Sequence, residues 1–332
     1  MQVVPTELQT LLELIERYPQ LHARTLAEVE FKSHRYPVIS AEVGAKGCDV
    51  PCILFVGGVH GVEVIGIQVI MALLESILSR LEWDSQLQQL LTKIKLAFVP
   101  IVNPVGLLNG TRCNGQRVDL MRNAPIEAET KVTFLVGGQK LSSHLPWYRG
   151  HQGVEQETQA LIQYVEQLKT NSSSLISLDA HSGFGMTDHI WFPFAGSSKP
   201  VSSVGLIYYL EQLYQSSYPY HNHYSFSPQS LIYRTHGDIW DYLATPKDDK
   251  PFLPLTLEMG SWNWVKKNPR QMFNFAGFFN PQKQHRQLRA LRKHTVLMHF
   301  LMDLAASREL ENMNLELLLK QNNAALNRWY QC

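Results

Sequence analysis

The chain has 332 residues, 45% of them hydrophobic and 18% charged, enough to bury a large core and close to the upper size of one α/β domain. Its 30 basic and 29 acidic residues leave a formal net charge of +1. That balance supplies no field toward nucleic acid or an anionic membrane, so the expected partner is a small molecule or peptide, with no nucleic acid and no membrane involved.

Four cysteines, Cys48, Cys52, Cys113 and Cys332, lack the paired spacing of a structural zinc site, are too few to staple so long a chain, and read as free thiols. Near the start, Glu7, Glu13 and Glu16 stand where a signal peptide needs a basic opening and an unbroken apolar run. No later segment approaches the length of a membrane span, and the expected compartment is the reduced cytoplasm.

Leu8, Leu11, Leu12 and Ile15 fall at helical spacing and predict a first helix, followed by an extended stretch over residues 36–43. A short apolar run at 53–56 predicts a buried strand, and the mostly apolar stretch 62–78 predicts the helix after it. Residues 94–101 predict a second strand that runs into the turn residues Asn103-Pro104-Val105-Gly106. A long irregular region through Gly138, Pro146 and Gly153 ends at an apolar helix over 158–168. The third strand is expected at 175–178, a helix at 204–213 and a fourth strand at 252–258, where Pro254 argues for an edge or a bulge because proline has no N–H for the ladder. Two C-terminal helices are expected at about 284–304 and 309–326, the first with Arg286, Arg289 and Arg292 on a solvated basic face. With no internal repeat or clear linker, residues 1–332 read as a single domain with an N-terminal helix and a C-terminal helical extension over about 284–328.

Gly57-Gly58-Val59-His60-Gly61-Val62-Glu63 lies between the first buried strand and its helix, where α/β sheets present functional groups. The G-x-G-x-x-G order of a dinucleotide site is absent. His60 and Glu63, three apart as a helix begins, project from one face and can reach a single ion; imidazole nitrogen and carboxylate oxygen are both good zinc donors. A catalytic zinc needs a third protein ligand, and His181, in Asp179-Ala180-His181-Ser182-Gly183 past the third strand, reaches the same rim. Ser182 lacks the first glycine of G-x-S-x-G and does not read as a serine nucleophile.

Taken together these residues resemble the zinc carboxypeptidase family, the funnelin metallopeptidases that include carboxypeptidase A and related amidases and deacylases. The resemblance rests on His60 with Glu63, Asn103 to Gly106, Arg112-Cys113-Asn114 with Val118-Asp119-Leu120-Met121-Arg122, His181 with Ser182, and Glu258, in the family's order over about residues 36–262. It implies a three-layer α/β/α fold with a mixed, twisted sheet and one zinc ion per chain on His60, Glu63 and His181. It further implies that Glu258 moves the water proton, Arg112 steadies the oxyanion, and Asp119 holds the His60 ring. Arg122 would grip a substrate carboxylate, with Asn114 and Tyr242 also at the substrate and Tyr233 as a second tyrosine. The family's Asn-Arg pair reads Met121-Arg122 here, so one carboxylate donor is missing. The implied substrate is a small peptide, with an N-acyl amino acid, as in the aspartoacylase and succinylglutamate desuccinylase deacylases, as the alternative. A silent metal-binding or peptide-binding module would have lost a metal-set residue, and none is lost. His189, His221, His223 and His236 are expected to be structural or exposed.

Overall fold

The computed structural model of the chain describes residues 3–221, 223–245 and 250–331; Cys332 lies outside the described residues. Helix α1 (Thr6–Arg17) buries Leu8, Leu11 and Leu14 along one face. Strands β1 (His22–Phe31) and β2 (His34–Gly44) form an antiparallel hairpin through Lys32 and Ser33. The buried strand β3 (Cys52–Gly57) leads into α2 (Val64–Arg80), and α3 (Ser85–Leu91), capped by Asp84, leads into β4 (Lys95–Val99). After α4 (Pro104–Asn109) and a long irregular stretch come α5 (Gln156–Thr170), β5 (Leu175–Ser182) and β6 (Asp188–Phe192). Next are α6 (Val204–Ser217), β7 (Tyr224–Pro228), α7 (Ile239–Ala244) and β8 (Phe252–Met259). The chain closes with α8 (Trp262–Lys267), α9 (Gln284–Ser307) and α10 (Leu315–Trp329).

All eight strands join one sheet in the order β1-β2-β4-β3-β5-β8-β6-β7. Its centre, β4-β3-β5-β8, is parallel, while β1, β2 and the β6–β8 pair add antiparallel contacts, which makes the expected mixed sheet. One apolar cluster packs α1, α2, α6, α9 and α10 against one face, and a second packs α5 and α7 against the other. Because both faces are covered, β3 and β5 are buried at every position. Burial of each large aliphatic side chain there contributes about 1.5–3 kcal/mol.

Three strands escape the sequence reading, for a common reason. In β1 only Ala27 and Val29 are buried, and β6 and β7 are five residues each, too short for a period to stand out. Two local expectations are corrected. Asn103-Pro104-Val105-Gly106 is the start of helix α4, with proline in its first turn and the Asn103 side chain as its cap. Pro254 lies on a central strand, opposite Ser177 of β5; the β6 ladder stops at Trp191 opposite Thr256, so on that flank proline leaves no carbonyl unmet.

Candidate metal centre and active cavity

The turn carrying His60 is held by close packing that only glycine permits. A Cβ on Gly61 would lie 2.0 Å from the Gly106 carbonyl carbon in the first turn of α4, and one on Gly66 would lie 2.3 Å from the Ala180 carbonyl oxygen, next to His181. Asn103, with no exposed surface, joins the two segments: its Oδ1 accepts from the Gly106 N–H at 2.7 Å, and its Nδ2 donates to the carbonyls of Val59 at 3.3 Å and Arg112 at 3.4 Å. Asn280 closes the start of α2, accepting from the Ile65 N–H and donating to the Val62 carbonyl. Parallel register then sets His181 of β5 beside Glu258 of β8 at the carboxyl-end rim.

His60, Glu63 and His181 are all buried, and their ligand atoms lie within 4.8 Å of one another. His60 Nδ1 is 2.9 Å from Glu63 Oε1, His181 Nδ1 is 3.1 Å from Glu63 Oε2, and the two Nδ1 atoms are 3.2 Å apart. The outer ring nitrogens are engaged: His60 Nε2 donates to Asp119 Oδ1 at 3.0 Å, and His181 Nε2 donates to Asp179 Oδ2 at 2.8 Å. With both Nε2 atoms committed as donors, two Nδ1 lone pairs and a carboxylate converge on one point. That convergence is repulsive unless a cation or a proton sits there. Tetrahedral zinc with bonds of about 2.0–2.1 Å places its ligands about 3.3 Å apart, close to the spacing found here. The residues present therefore fit the ion.

Without the ion, charge pairing dominates the site. Burial favours neutral Glu63, yet His60 and His181 hold its carboxyl far below the usual range. Asp119 is likewise depressed against its burial, chiefly by Arg112 and then His60. His181 goes the other way: burial would lower it, but Asp179 and Glu63 raise it well above an ordinary histidine. Glu258 is pushed up to about 8 by burial and by the neighbouring charge of Glu63.

These groups open into a cavity of about 510 Å³ that is also lined by Arg112, Arg122, Tyr233 and Glu258. Arg112 donates through Nη1 to Glu63 Oε1 at 3.1 Å and through Nε to Asp119 Oδ2 at 2.9 Å; its Nη2 makes no hydrogen bond among the described residues. Glu258 Oε1 accepts from the Phe184 N–H at 3.1 Å. Arg122, 2% exposed, donates to the backbone carbonyls of Met121 and Val136, and its guanidinium carbon is 5.9 Å from the centre of the Tyr233 ring. Trp147, Phe184, Trp191, Phe275 and Phe279 supply apolar walls.

Two predicted substrate residues are not part of this cavity. Asn114 braces its own loop, donating to Glu155 and Glu157 and accepting from the N–H groups of Gln116 and Val118. Tyr242 packs on α7 against the apolar cluster behind the sheet, and Tyr233 is the tyrosine that lines the cavity. Of the four histidines expected to be structural or exposed, His189 lies opposite Glu258 in the backbone ladder of β6 and β8, while His236 Nδ1 accepts from the Ala128 N–H. The sequence reading overlooked Asp179 and Trp240, whose indole N–H donates to Asp179 Oδ2 at 2.9 Å. Asp179 was findable: two residues before His181 on one strand, it must share the histidine's face. Trp240 had no such signal, since only the packing of α7 brings it there.

The zinc carboxypeptidase family model matches residues 15–289. Carboxypeptidase A from Helicoverpa armigera superimposes with a TM-score of 0.67 at 15% identity, over 90% of this chain and 71% of that one. Bovine thrombin-activatable fibrinolysis inhibitor, crystallised with tick carboxypeptidase inhibitor, gives a TM-score of 0.65 at 16% identity, over 92% and 98%. A metallo-carboxypeptidase from Burkholderia cenocepacia gives 0.53 at 13% identity, over 88% and 67%. Among curated proteins, no sequence matches the chain. At these identities the solved structures establish a shared fold, and the match over residues 15–289 establishes more: the chain belongs to the zinc carboxypeptidase family and is a metallopeptidase-type hydrolase.

Proposed function

We propose that this enzyme hydrolyses the amide bond beside a free carboxylate of a small peptide. The observation that carries the reading is Arg122: a buried guanidinium, facing the cavity of the metal set, with no ion pair within 4 Å among the described residues. The buried carboxylates Asp119, Asp238 and Asp241 offset this cation only from beyond direct contact, and a substrate carboxylate would add a forked pair of hydrogen bonds. The aromatic walls suit an apolar or aromatic side chain next to that carboxylate.

His60, Glu63 and His181 would hold the zinc, which supplies Lewis-acid polarisation of the scissile carbonyl and acidifies water. Glu258, beside His181 at the strand rim, takes the water proton and returns it to the departing amine. Arg112, fixed by Glu63 and Asp119, keeps one N–H pair for the oxygen on which negative charge develops. Met121 offers no second donor to the carboxylate, which favours deacylation of N-acyl amino acids as the second reading.

The zinc-loaded protein should cleave an N-blocked dipeptide ending in phenylalanine and leave the matching C-terminal amide at least tenfold slower. Arg122→Gln should raise KM for the free acid by about tenfold or more, the equivalent of one charge-assisted contact, with little change for the amide. Equal cleavage of acid and amide would remove the carboxylate from the reading. Turnover of N-acyl amino acids alone would select the deacylase.

A further inference from the structure

The segment 183–188 separates two cavities: Gly183 and Phe184 line the metal cavity, whereas Met186, Thr187 and Asp188 line a larger one of about 760 Å³. The far walls of the larger cavity come from α8, the first half of α9 and the segment before β7. Lys267, Arg286, Arg289, Arg292 and Lys293 all line it, against one carboxylate, Asp188. In a chain of net charge +1, that is a strong local segregation of positive charge.

Asp188 does not neutralise the group. Its Oδ1 accepts from the Gly260 N–H at 2.9 Å and its Oδ2 is paired with Lys293. Arg286 is spent on the end of α8, donating to the carbonyls of Trp264 at 3.2 Å and Lys267 at 3.4 Å. Lys267, Arg289 and Arg292 make no ion pair and no side-chain hydrogen bond among the described residues. Arg289 and Arg292 are exposed, as expected of a solvated face, and that face borders a concavity, where like charges repel and the field is focused. Neighbouring histidines register that field: His223 is shifted down by burial and then by Lys293, and buried His294, its Nδ1 2.9 Å from the Tyr224 hydroxyl, is shifted down to about 4 by burial, with Lys293 adding to the shift against the pull of Asp188.

We propose that this cavity binds a compact polyanion, a small molecule carrying two or more phosphate or carboxylate groups. Arg289 and Arg292 supply forked contacts, and Lys267 supplies a point charge. The volume is that of a small-molecule site, and the bowl shape fits a compact ligand better than an extended polymer. The proposal is independent of the substrate reading above.

The test titrates the zinc-loaded 332-residue chain with fructose 1,6-bisphosphate and, separately, with tricarballylate, both weak zinc chelators, by calorimetry at low and moderate salt. Saturable binding of one molecule per chain, weakened by salt, is expected for at least one probe, and the probe that binds identifies the phosphate or carboxylate source. Arg289→Gln with Arg292→Gln should weaken binding by tenfold or more while peptide hydrolysis and the melting temperature stay unchanged. Lys267→Gln, on a different helix, should weaken it several-fold and serves if the double variant folds poorly. No saturable binding by either probe, or binding that the variants leave intact, overturns the proposal.

Discussion

Asp179 offers the most direct measure of how the metal site is supported. It has no exposed surface, and its Oδ2 accepts both the His181 Nε2–H at 2.8 Å and the Trp240 indole N–H at 2.9 Å, while its Oδ1 has no partner among the described residues. In Asp179→Asn the amide oxygen can replace Oδ2, which leaves the NH2 buried and unmatched at the Oδ1 position. That should cost about 1–3 kcal/mol of stability. Losing the carboxylate also makes His181 a less basic ligand, so zinc affinity should fall about 10–100-fold, or ~1.4–2.7 kcal/mol. The pH dependence gives a second check. In the metal-free wild type, burial opposes protonation of His181, but Asp179 and Glu63 overcome it and raise the pKa, so protons compete with zinc more strongly than in the variant. The gap between the two proteins should therefore narrow as pH falls from 8 to 6. Competition against a chelator of known zinc affinity, with circular dichroism to confirm the fold, measures both effects. Zinc binding within twofold of wild type at both pH values would refute the supporting role.

In chelator-stripped protein, Glu258 is a carboxyl raised from 4.5 to about 8 by burial and the charge of Glu63. The folded state then holds a proton that the unfolded state releases, so this group's contribution to stability falls as pH rises from about 4.5 to 8. Glu258→Gln should be increasingly more stable than wild type across that window, reaching on the order of a few kcal/mol, in denaturant melts; a flat difference would contradict the raised pKa. On the loaded enzyme the same variant should lower kcat by about 10²–10⁴-fold with zinc still bound. Gly61→Ala drives a methyl group into backbone at 2.0 Å and should destabilise the fold by about 3 kcal/mol or more while weakening zinc binding, read by thermal melting and metal analysis. Asn103→Ala removes the α4 cap and strands the Val59 and Arg112 carbonyls, for an expected loss of about 3 kcal/mol by denaturant titration; a loss under 1 kcal/mol would show that water replaces the side chain.

The metal set was legible because its chemistry is written locally. His60 and Glu63 share one turn, His181 ends a recognisable strand, and imidazole with carboxylate at a strand rim has few other uses. The buried central strands were legible too, since covering both faces demands unbroken apolar runs such as those of β3 and β5. Peripheral strands were not: β1 is mostly exposed, and β6 and β7 earn their place by pairing with neighbours distant in sequence.

Residue type and short-range period set the inventory of donors and the order of the central β and α units, both within a few turns of chain. The packed fold governs the contacts that depend on long closures. It brought Trp240 to Asp179, chose Tyr233 over Tyr242 for the cavity, turned Asn114 into a loop brace and set the solvated arginines of α9 opposite Lys267 of α8. Each of these depends on which faces of distant elements meet, and no local pattern of residues encodes that.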